Sequence, residues 1–205
     1  MRDETKAKRR AEIEAAAYDL MMRNGYDAMS MLGVAKAAHA SNETLYRWYG
    51  DKQGLFRAMI VANADLVRDH LDAALSEGRD ADPLAVLRQL CPVLLGMLVG
   101  GRAVALNRAA AADASGALGA ALAEAGRAEI APRITRLIAS AIEAGALQAS
   151  SAPEAAEWLL GLLIGDWQIR RVTGAMTEPS ADEIAKRAEQ AWAGFCRLCR
   201  ADRAV

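Results

Sequence analysis

The stretch SNETLYRWYGDKQGLF, residues 41–56, contains four of the ten Phe, Trp and Tyr residues in this 205-residue chain. It places them beside residues that form hydrogen bonds. A helix buried on all sides has little use for Asn42 or Glu43, and an ordinary surface helix has little use for Tyr46 or Trp48. The mixture indicates a helix that contacts another molecule.

One face of this helix is apolar. At 100° per residue, Leu45 and Tyr49 point one way, whereas Glu43 and Arg47 point the opposite way. Ser41 is a favoured N-cap residue, and the glycine after Tyr49 is a typical helix end. The sequence therefore predicts a short helix that is anchored on one side and presents polar and aromatic groups on the other.

Two helices precede it and a long one follows. The first has apolar residues at i, i+3, i+4, i+7 spacing and stops at Asn24-Gly25. Ser30 caps a short second helix, and Asp51 caps a fourth helix that runs to about Leu75. The inward residues of the first two helices are Ile13, Ala16, Ala17, Leu20 and Met21, then Val34, Ala35 and Ala38. The second and third helices, joined by a tight turn, form a helix-turn-helix unit, whose last helix enters the major groove of DNA.

Residues 10–57 carry a set of residue types at fixed offsets: Ala16, Ala17, Gly25, Val34, Ala35, Ala38, Ser41, Thr44, Leu45, Tyr46, Tyr49, Lys52 and Leu55. This set resembles the N-terminal signature of TetR-type transcriptional regulators. His39 stands where the family usually has Gly. Because His tolerates a left-handed backbone better than most residues, the tight turn is still expected, with or without strain at His39. Met31-Leu32-Gly33 opens the second helix where the family often has polar or basic groups, so fewer phosphate contacts are expected there.

The composition favours helices throughout. Hydrophobic residues make up 53% and charged residues 25% of the chain, with only five prolines, which is typical of a globular all-α protein. The charged beginning has no apolar stretch behind it, so neither a secretory signal nor a membrane anchor is expected, and the cytoplasm is the predicted location. Lys6, Lys8, Arg9 and Arg10 form a basic arm that either reaches phosphates or is simply solvated.

Beyond the fourth helix, Gly, Pro and Ser residues separate further helices. These are predicted at 82–100, 102–112, 115–144, 153–172 and 181–200, with a kink at Pro92 and a kink or division at Pro132. The fold is therefore predicted to be all-α. A helix-turn-helix DNA-binding domain occupies residues 1–52, and a helical regulatory and dimerisation domain occupies residues 53–205.

Two of the later helices carry more apolar surface than a monomer covers easily. The TetR-type resemblance implies that the last two long helices pair with those of a second copy, so a homodimer is expected. The alternative is an ordinary core within one chain. The candidate interface residues are Trp158, Gly161, Leu162, Gly165, Trp192 and Phe195.

The resemblance also implies a pocket for a small inducer among the middle helices. Candidate pocket residues are Met59, Met97, Asn107 and Trp167. Adaptable and apolar groups of this kind suit an apolar or aromatic inducer, although Met and Trp at helical spacing also pack in ordinary cores.

On the third helix, Asn42, Glu43 and Arg47 are the candidates for contacts to base edges. Asn suits adenine, Arg suits guanine, and Glu accepts from cytosine N4, unless Glu43 is simply a solvated charge. Trp48 is expected to meet a thymine methyl or a sugar. The candidates for phosphate contacts are Ser30, Ser41, Thr44, Tyr46 and Lys52.

The leading hypothesis is a dimeric repressor that binds a palindromic double-stranded DNA operator and is released by a ligand. An all-helical DNA-binding or adaptor protein without an inducer is the alternative. An enzyme is not expected, because the chain has two histidines, no glycine-rich phosphate loop and no spaced ligand set. Neither a cofactor nor a metal is expected, since Cys196 and Cys199 share one helical face, which suits core packing.

Overall fold

The computed structural model describes residues 2–76 and 82–199. Helices form the secondary structure of these residues, and no strand occurs among them. The prediction of an all-α fold is confirmed. The helices are α1 (Arg2–Ala28), α2 (Met31–Ala37), α3 (Asn42–Tyr49), α4 (Lys52–Ser76), α5 (Pro83–Val99), α6 (Gly101–Ala112), α7 (Ala117–Leu122), α8 (Ala128–Glu143), α9 (Ala152–Ile164), α10 (Trp167–Thr173) and α11 (Ala181–Leu198), with a π-helical turn at Ala123–Arg127. Arg200, the predicted end of the last helix, lies outside the described residues.

The chain divides into two compact units. The head unit comprises the residues up to Asn63 together with Ala105–Ala125, and the body unit comprises Ala64–Val104 and the residues from Gly126 onward. The head unit therefore contains α1 to α3, the first half of α4, most of α6 and α7. Helices α5 and α8 to α11 belong to the body unit.

The head unit is held by an apolar core and by capped helix starts. Phe56 packs edge-on against Tyr26, with ring centroids 5.3 Å apart, and the Tyr18 hydroxyl donates to the Met59 carbonyl oxygen at 2.8 Å. The Asp51 carboxylate accepts from the Gly54 amide at 2.7 Å, which starts α4 directly after α3 ends. The first two contacts join α1 to α4, and the third fixes the start of α4.

Helix α1 begins earlier than predicted. It includes the charged residues before Ile13 and contains one non-helical residue, Gly25, at φ 79°. The non-helical Gly25 agrees with the predicted stop at Asn24-Gly25, and a short helical stretch follows it to Ala28. The early start has no apolar signal in the sequence because the side chains of residues 4–12 are largely exposed.

The body unit surrounds an apolar core formed by α5, α8, α9 and α11. Fully or almost fully buried side chains of this core include Leu87, Leu95, Ile134, Ile138, Leu159, Leu163 and Phe195. Pro83 lies in the first turn of α5, where a missing N–H breaks no helical hydrogen bond. The described part of the chain has no single helix long and apolar enough to cross a membrane, and one bent pair, α5 with α6, meets that test by length and composition alone.

Two predicted helices are divided at places that local sequence patterns do not indicate. The 115–144 helix is interrupted by the π-helical turn at Ala123–Arg127, whereas Pro132 lies inside α8. The predicted 153–172 helix breaks after Ile164, where Gly165 has φ 50°. There the Arg187 guanidinium donates to the carbonyl oxygens of Leu162 at 2.5 Å and Leu163 at 3.1 Å. These are the acceptors that a continuing helix would use, so Arg187 replaces the missing backbone donors.

Candidate nucleic-acid interface

Helix α3 has two chemically different sides. Leu45 is fully buried and Tyr49 is only 9% exposed, whereas Tyr46 on the outer side is 51% exposed. The Arg47 guanidinium lies 3.9 Å from the Glu43 carboxylate, and both side chains are largely exposed. An exposed pair at this distance contributes little to stability, so both groups are available to a partner.

On the buried side of α3, Tyr49 makes a polar contact to α1. Its hydroxyl donates to the Glu14 carboxylate of α1 at 3.5 Å. Burial, with the neighbouring Glu14 charge, raises the pKa of Tyr49 well above its usual value. The hydrogen bond from Tyr49 to Glu14 joins α3 to α1.

The start of α3 is organised by two hydroxyl groups. The Ser41 Oγ accepts from the Thr44 amide at 3.1 Å and lies 2.8 Å from the Thr44 hydroxyl oxygen. Asn42 and Glu43, in the first turn, are exposed. The cap thus fixes the end of the helix at which the predicted base contacts stand.

Helix α2 is also capped but presents an apolar side chain. The Ser30 Oγ accepts from the Gly33 amide at 3.1 Å, and a Cβ on Gly33 would lie only 3.1 Å from that oxygen. Met31 is buried, whereas Leu32 is 52% exposed. Lys36, which no sequence pattern singles out, is an exposed cation on the same helix.

Lys52, at the start of α4, has partners within the chain. Its ammonium donates to the Asp27 carbonyl oxygen at 3.1 Å and lies 4.1 Å from the centroid of the Tyr26 ring. Partial burial lowers the pKa of Lys52. Lys52, in the first turn of α4, therefore joins α4 to the end of α1.

Trp48 is half-buried against the head core. The guanidinium of Arg10 lies 5.8 Å from the centroid of its ring, a cation–π distance. The sequence predicts Arg10 only as part of the basic arm. No local pattern links two residues so far apart in the chain, so this contact could not be inferred from periodicity.

The four pocket candidates are divided between the units. In the head unit, Met59 is fully buried in the core and Asn107 is half-buried. In the body unit, Met97 and Trp167 are half-buried, and the Arg187 guanidinium lies 6.0 Å from the Trp167 ring centroid.

The interface candidates lie on α9 and α11, or directly after α9, in the body unit. Trp192 and Phe195 are buried in its core with ring centroids 5.7 Å apart, and Leu162 packs on Gly194. Trp158 is half-buried. Gly161 is exposed, with no atom within 4 Å of where its Cβ would be, whereas Arg187 fills the space beside Gly165. Part of the apolar surface of these helices is thus used within the chain.

The cysteines lie in the body unit and have the character of packing residues. Cys91 is buried, its thiol donates to the Leu87 carbonyl oxygen at 3.2 Å, and burial raises its pKa to about 12. Burial also raises the pKa values of Cys196 and Cys199. No group of three or more His, Cys, Asp or Glu residues in the described ranges could hold a metal ion.

Comparison with protein families gives two matches. Residues 85–200, more than half of the chain, match the family model described as AefR-like transcriptional repressor, C-terminal domain. Residues 13–59 match the model of bacterial regulatory proteins, tetR family.

A curated relative and two solved structures are similar to the chain. The DNA-binding transcriptional repressor TetR of Mycobacteroides abscessus is 42% identical over 55 residues, which are 27% of this chain and 29% of that protein. A TetR transcriptional regulator from Agrobacterium tumefaciens is 30% identical, with a TM-score of 0.69 over 93% of this chain and 94% of that one. The flavonoid-responsive regulator FrrA is 26% identical, with a TM-score of 0.68 over 97% of this chain and 100% of that one.

Proposed function

The chain belongs to the TetR family of bacterial transcriptional regulators, and from this premise we propose that it is a dimeric repressor that binds a palindromic operator and releases it when a small ligand binds. Residues 1–52 form the DNA-reading domain and residues 53–205 the regulatory and dimerisation domain. The protein acts on double-stranded DNA in the bacterial cytoplasm.

The observation that carries the proposal is that α3 has a buried apolar side and an exposed polar side. Leu45 and Tyr49 hold the helix from within, so the outer side chains stand on a fixed support. We assign Asn42 to adenine, Arg47 to guanine and Glu43 to cytosine N4, because these groups match those base edges in the major groove.

Other exposed or capping groups around α3 contact the DNA backbone in this proposal. Tyr46 and the exposed Lys36 approach phosphates, and Trp48 meets a thymine methyl or a sugar. The Ser30 hydroxyl oxygen already accepts from an amide of its own helix but keeps its proton for a phosphate oxygen. The Ser41 and Thr44 hydroxyls share one hydrogen bond, which uses one of their two protons and leaves the other for phosphate. Thr44 and Lys52 complete the set of phosphate contacts.

The contrast between Arg47 and Lys52 tests these roles. Replacing Arg47 with alanine should remove base discrimination at one operator position, worth about 1–3 kcal/mol. Replacing Lys52 with alanine should weaken binding to every duplex and reduce the salt slope by about one, since one phosphate contact is lost. Titrations of a labelled operator and its single-base variants at several salt concentrations measure both effects. If both variants bind as the wild type does, α3 does not enter the major groove as proposed. An unchanged salt slope for Lys52→Ala would show that Lys52 contacts no phosphate and serves only its contacts to Tyr26 and Asp27.

Family membership and the exposed part of α9 support the proposed dimer. Gly161 leaves room for close approach of a helix from a second copy, and Trp158 and Leu162 are only half-buried beside it. Gly165, Trp192 and Phe195 border this surface or support it from within. Sedimentation equilibrium at micromolar concentration should give the mass of two chains, and a single-chain mass would refute the dimer.

The proposed inducer is a small apolar or aromatic molecule. The similarity to a flavonoid-responsive regulator supports an aromatic ligand. Met97 and Trp167, both in the body unit, are the proposed ligand contacts. A panel of apolar and aromatic compounds should include some that release operator DNA from the wild-type protein, and release by none would favour a regulator without an inducer.

A further inference from the structure

The turn between α2 and α3 has a strained residue at its centre. His39 has φ 49° and is the one non-glycine residue with positive φ in the part of the chain that the structure describes. The His39 amide donates to the Lys36 carbonyl oxygen and the Ala40 amide to the Ala35 carbonyl oxygen. This is the Schellman pattern of helix ends, in which the left-handed position usually holds glycine.

A side chain at this position opposes the turn. The Cβ of an L-residue crowds the following carbonyl in the left-handed conformation, which glycine avoids. His39 is exposed, so burial of its imidazole does not offset this cost. Another interaction is therefore expected to hold the turn in place.

Arg9 of α1 supplies that interaction. Its Nη2 donates to the His39 carbonyl oxygen at 2.5 Å, and its Nη1 donates to the Glu12 carboxylate at 2.7 Å. The guanidinium is therefore held at one end by its own helix and binds the turn with the other. The carbonyl that it binds lies two residues before Ser41, the N-cap of α3.

Two neighbouring residues of α1 contact α3 itself. Arg10 lies over the Trp48 ring, and Glu14 accepts from the Tyr49 hydroxyl. The N-terminal half of α1 thus braces both the turn and the helix that follows it.

We propose that Arg9 is a positioning residue for DNA recognition: it fixes the left-handed His39 turn and so sets the orientation of α3. The inference rests on the proposed function, because only a DNA-reading helix makes this orientation matter for binding. Arg9 acts through the turn, and its guanidinium does not contact phosphate.

The test combines Arg9→Ala with His39→Gly, singly and together. Arg9→Ala should weaken operator binding about tenfold, the loss expected for one hydrogen bond from a charged donor. Binding to a random-sequence duplex and the salt slope should stay as in the wild type, because no phosphate contact is lost. In the His39→Gly background, where the turn no longer needs support, the loss should fall to about twofold or less.

Arg23→Ala is the matched control. Arg23 lies on the same helix and is exposed, with a side-chain ion pair to Asp19 at 3.6 Å, so this variant removes the same charge without touching the turn. It should bind the operator as the wild type does. A tenfold loss in this variant too would show that net charge, not position, explains the Arg9 effect.

A second measurement works without DNA. In the free protein, Arg9→Ala should speed hydrogen exchange of the Ala40 amide about tenfold, and His39→Gly should suppress that change. Unchanged exchange would overturn the proposal even if the protein bound no DNA. Equal weakening on operator and random duplexes, with a smaller salt slope, would make Arg9 a phosphate ligand and would also overturn it.

Discussion

Replacing Gly54 with alanine should abolish operator binding and destabilise the head unit. A Cβ at this position would lie 1.9 Å from the carbonyl oxygen of Tyr49 and 3.0 Å from its carbonyl carbon. Both atoms belong to the backbone at the end of α3, so rotation of a side chain cannot relieve the clash. Relief requires α3 to move against α4, and we expect a loss of about 3 kcal/mol or more in the free energy of unfolding.

Gly119→Ala is the matched control for this substitution. Gly119 lies inside α7, also in the head unit, and no atom lies within 4 Å of the position that its Cβ would take. Alanine there should stabilise the protein by up to about 1 kcal/mol through its higher helix propensity. Urea unfolding of both variants, with operator titration, measures the contrast. Equal stability and equal binding of Gly54→Ala and the wild type would show that the junction between α3 and α4 is looser than these distances indicate.

Leu45→Ala should have the second large effect. Leu45 is fully buried, and truncating such a side chain costs about 2–5 kcal/mol, because it removes apolar burial and leaves a cavity. The site is the inner anchor of α3. The variant is therefore expected to lose both stability and operator affinity.

The adjacent Tyr46→Ala separates anchoring from contact. Tyr46 is exposed on the outer side of the same helix, so its removal should change stability by less than about 0.5 kcal/mol. Operator binding should nevertheless weaken, since the proposed phosphate contact of Tyr46 is lost. If Tyr46→Ala binds the operator with wild-type affinity, Tyr46 has no role at the interface; if Leu45→Ala unfolds like the wild type, α3 is not anchored from this side.

The arrangement of α2 and α3 was largely predictable from the sequence. The N-cap residues Ser30 and Ser41 and the spacing of Leu45 and Tyr49 act locally, so their effect on the backbone does not depend on distant parts of the chain. The substitution of His39 for the usual glycine also indicated the left-handed residue that the structure contains. In these places local propensity and tertiary packing agree.

The errors in the fold prediction arose where distant residues or weak local signals decide the structure. The break after Ile164 depends on Arg187, which replaces backbone donors from a helix later in the chain. The π-helical turn at Ala123–Arg127 has no proline to indicate it, whereas Pro132, where a kink or division was predicted, does not divide α8. The charged start of α1 is helical without any apolar periodicity.

At the candidate site, too, the features set by local sequence were predictable and those set by distant residues were not. Periodicity identified Leu45 and Tyr49 as inward and Glu43 and Arg47 as outward, because that follows from local geometry alone. It did not show that Trp48, expected among the outward groups, is half-buried against the head core. It could not identify Arg9 and Arg10 individually, since their contacts to His39 and Trp48 join residues that are far apart in the chain. The intrachain contacts of Lys52 with Asp27 and Tyr26 were missed for the same reason.

Selection of duplexes from a random DNA pool by the purified protein tests the central claim most directly. Two copies of α3 related by a two-fold axis should enrich an inverted repeat, with half-site centres about 34–36 Å apart or a multiple of that distance. We expect such a palindrome at moderate salt. A pool with no enriched sequence, or an enriched sequence without two-fold symmetry, would contradict the proposed mode of binding.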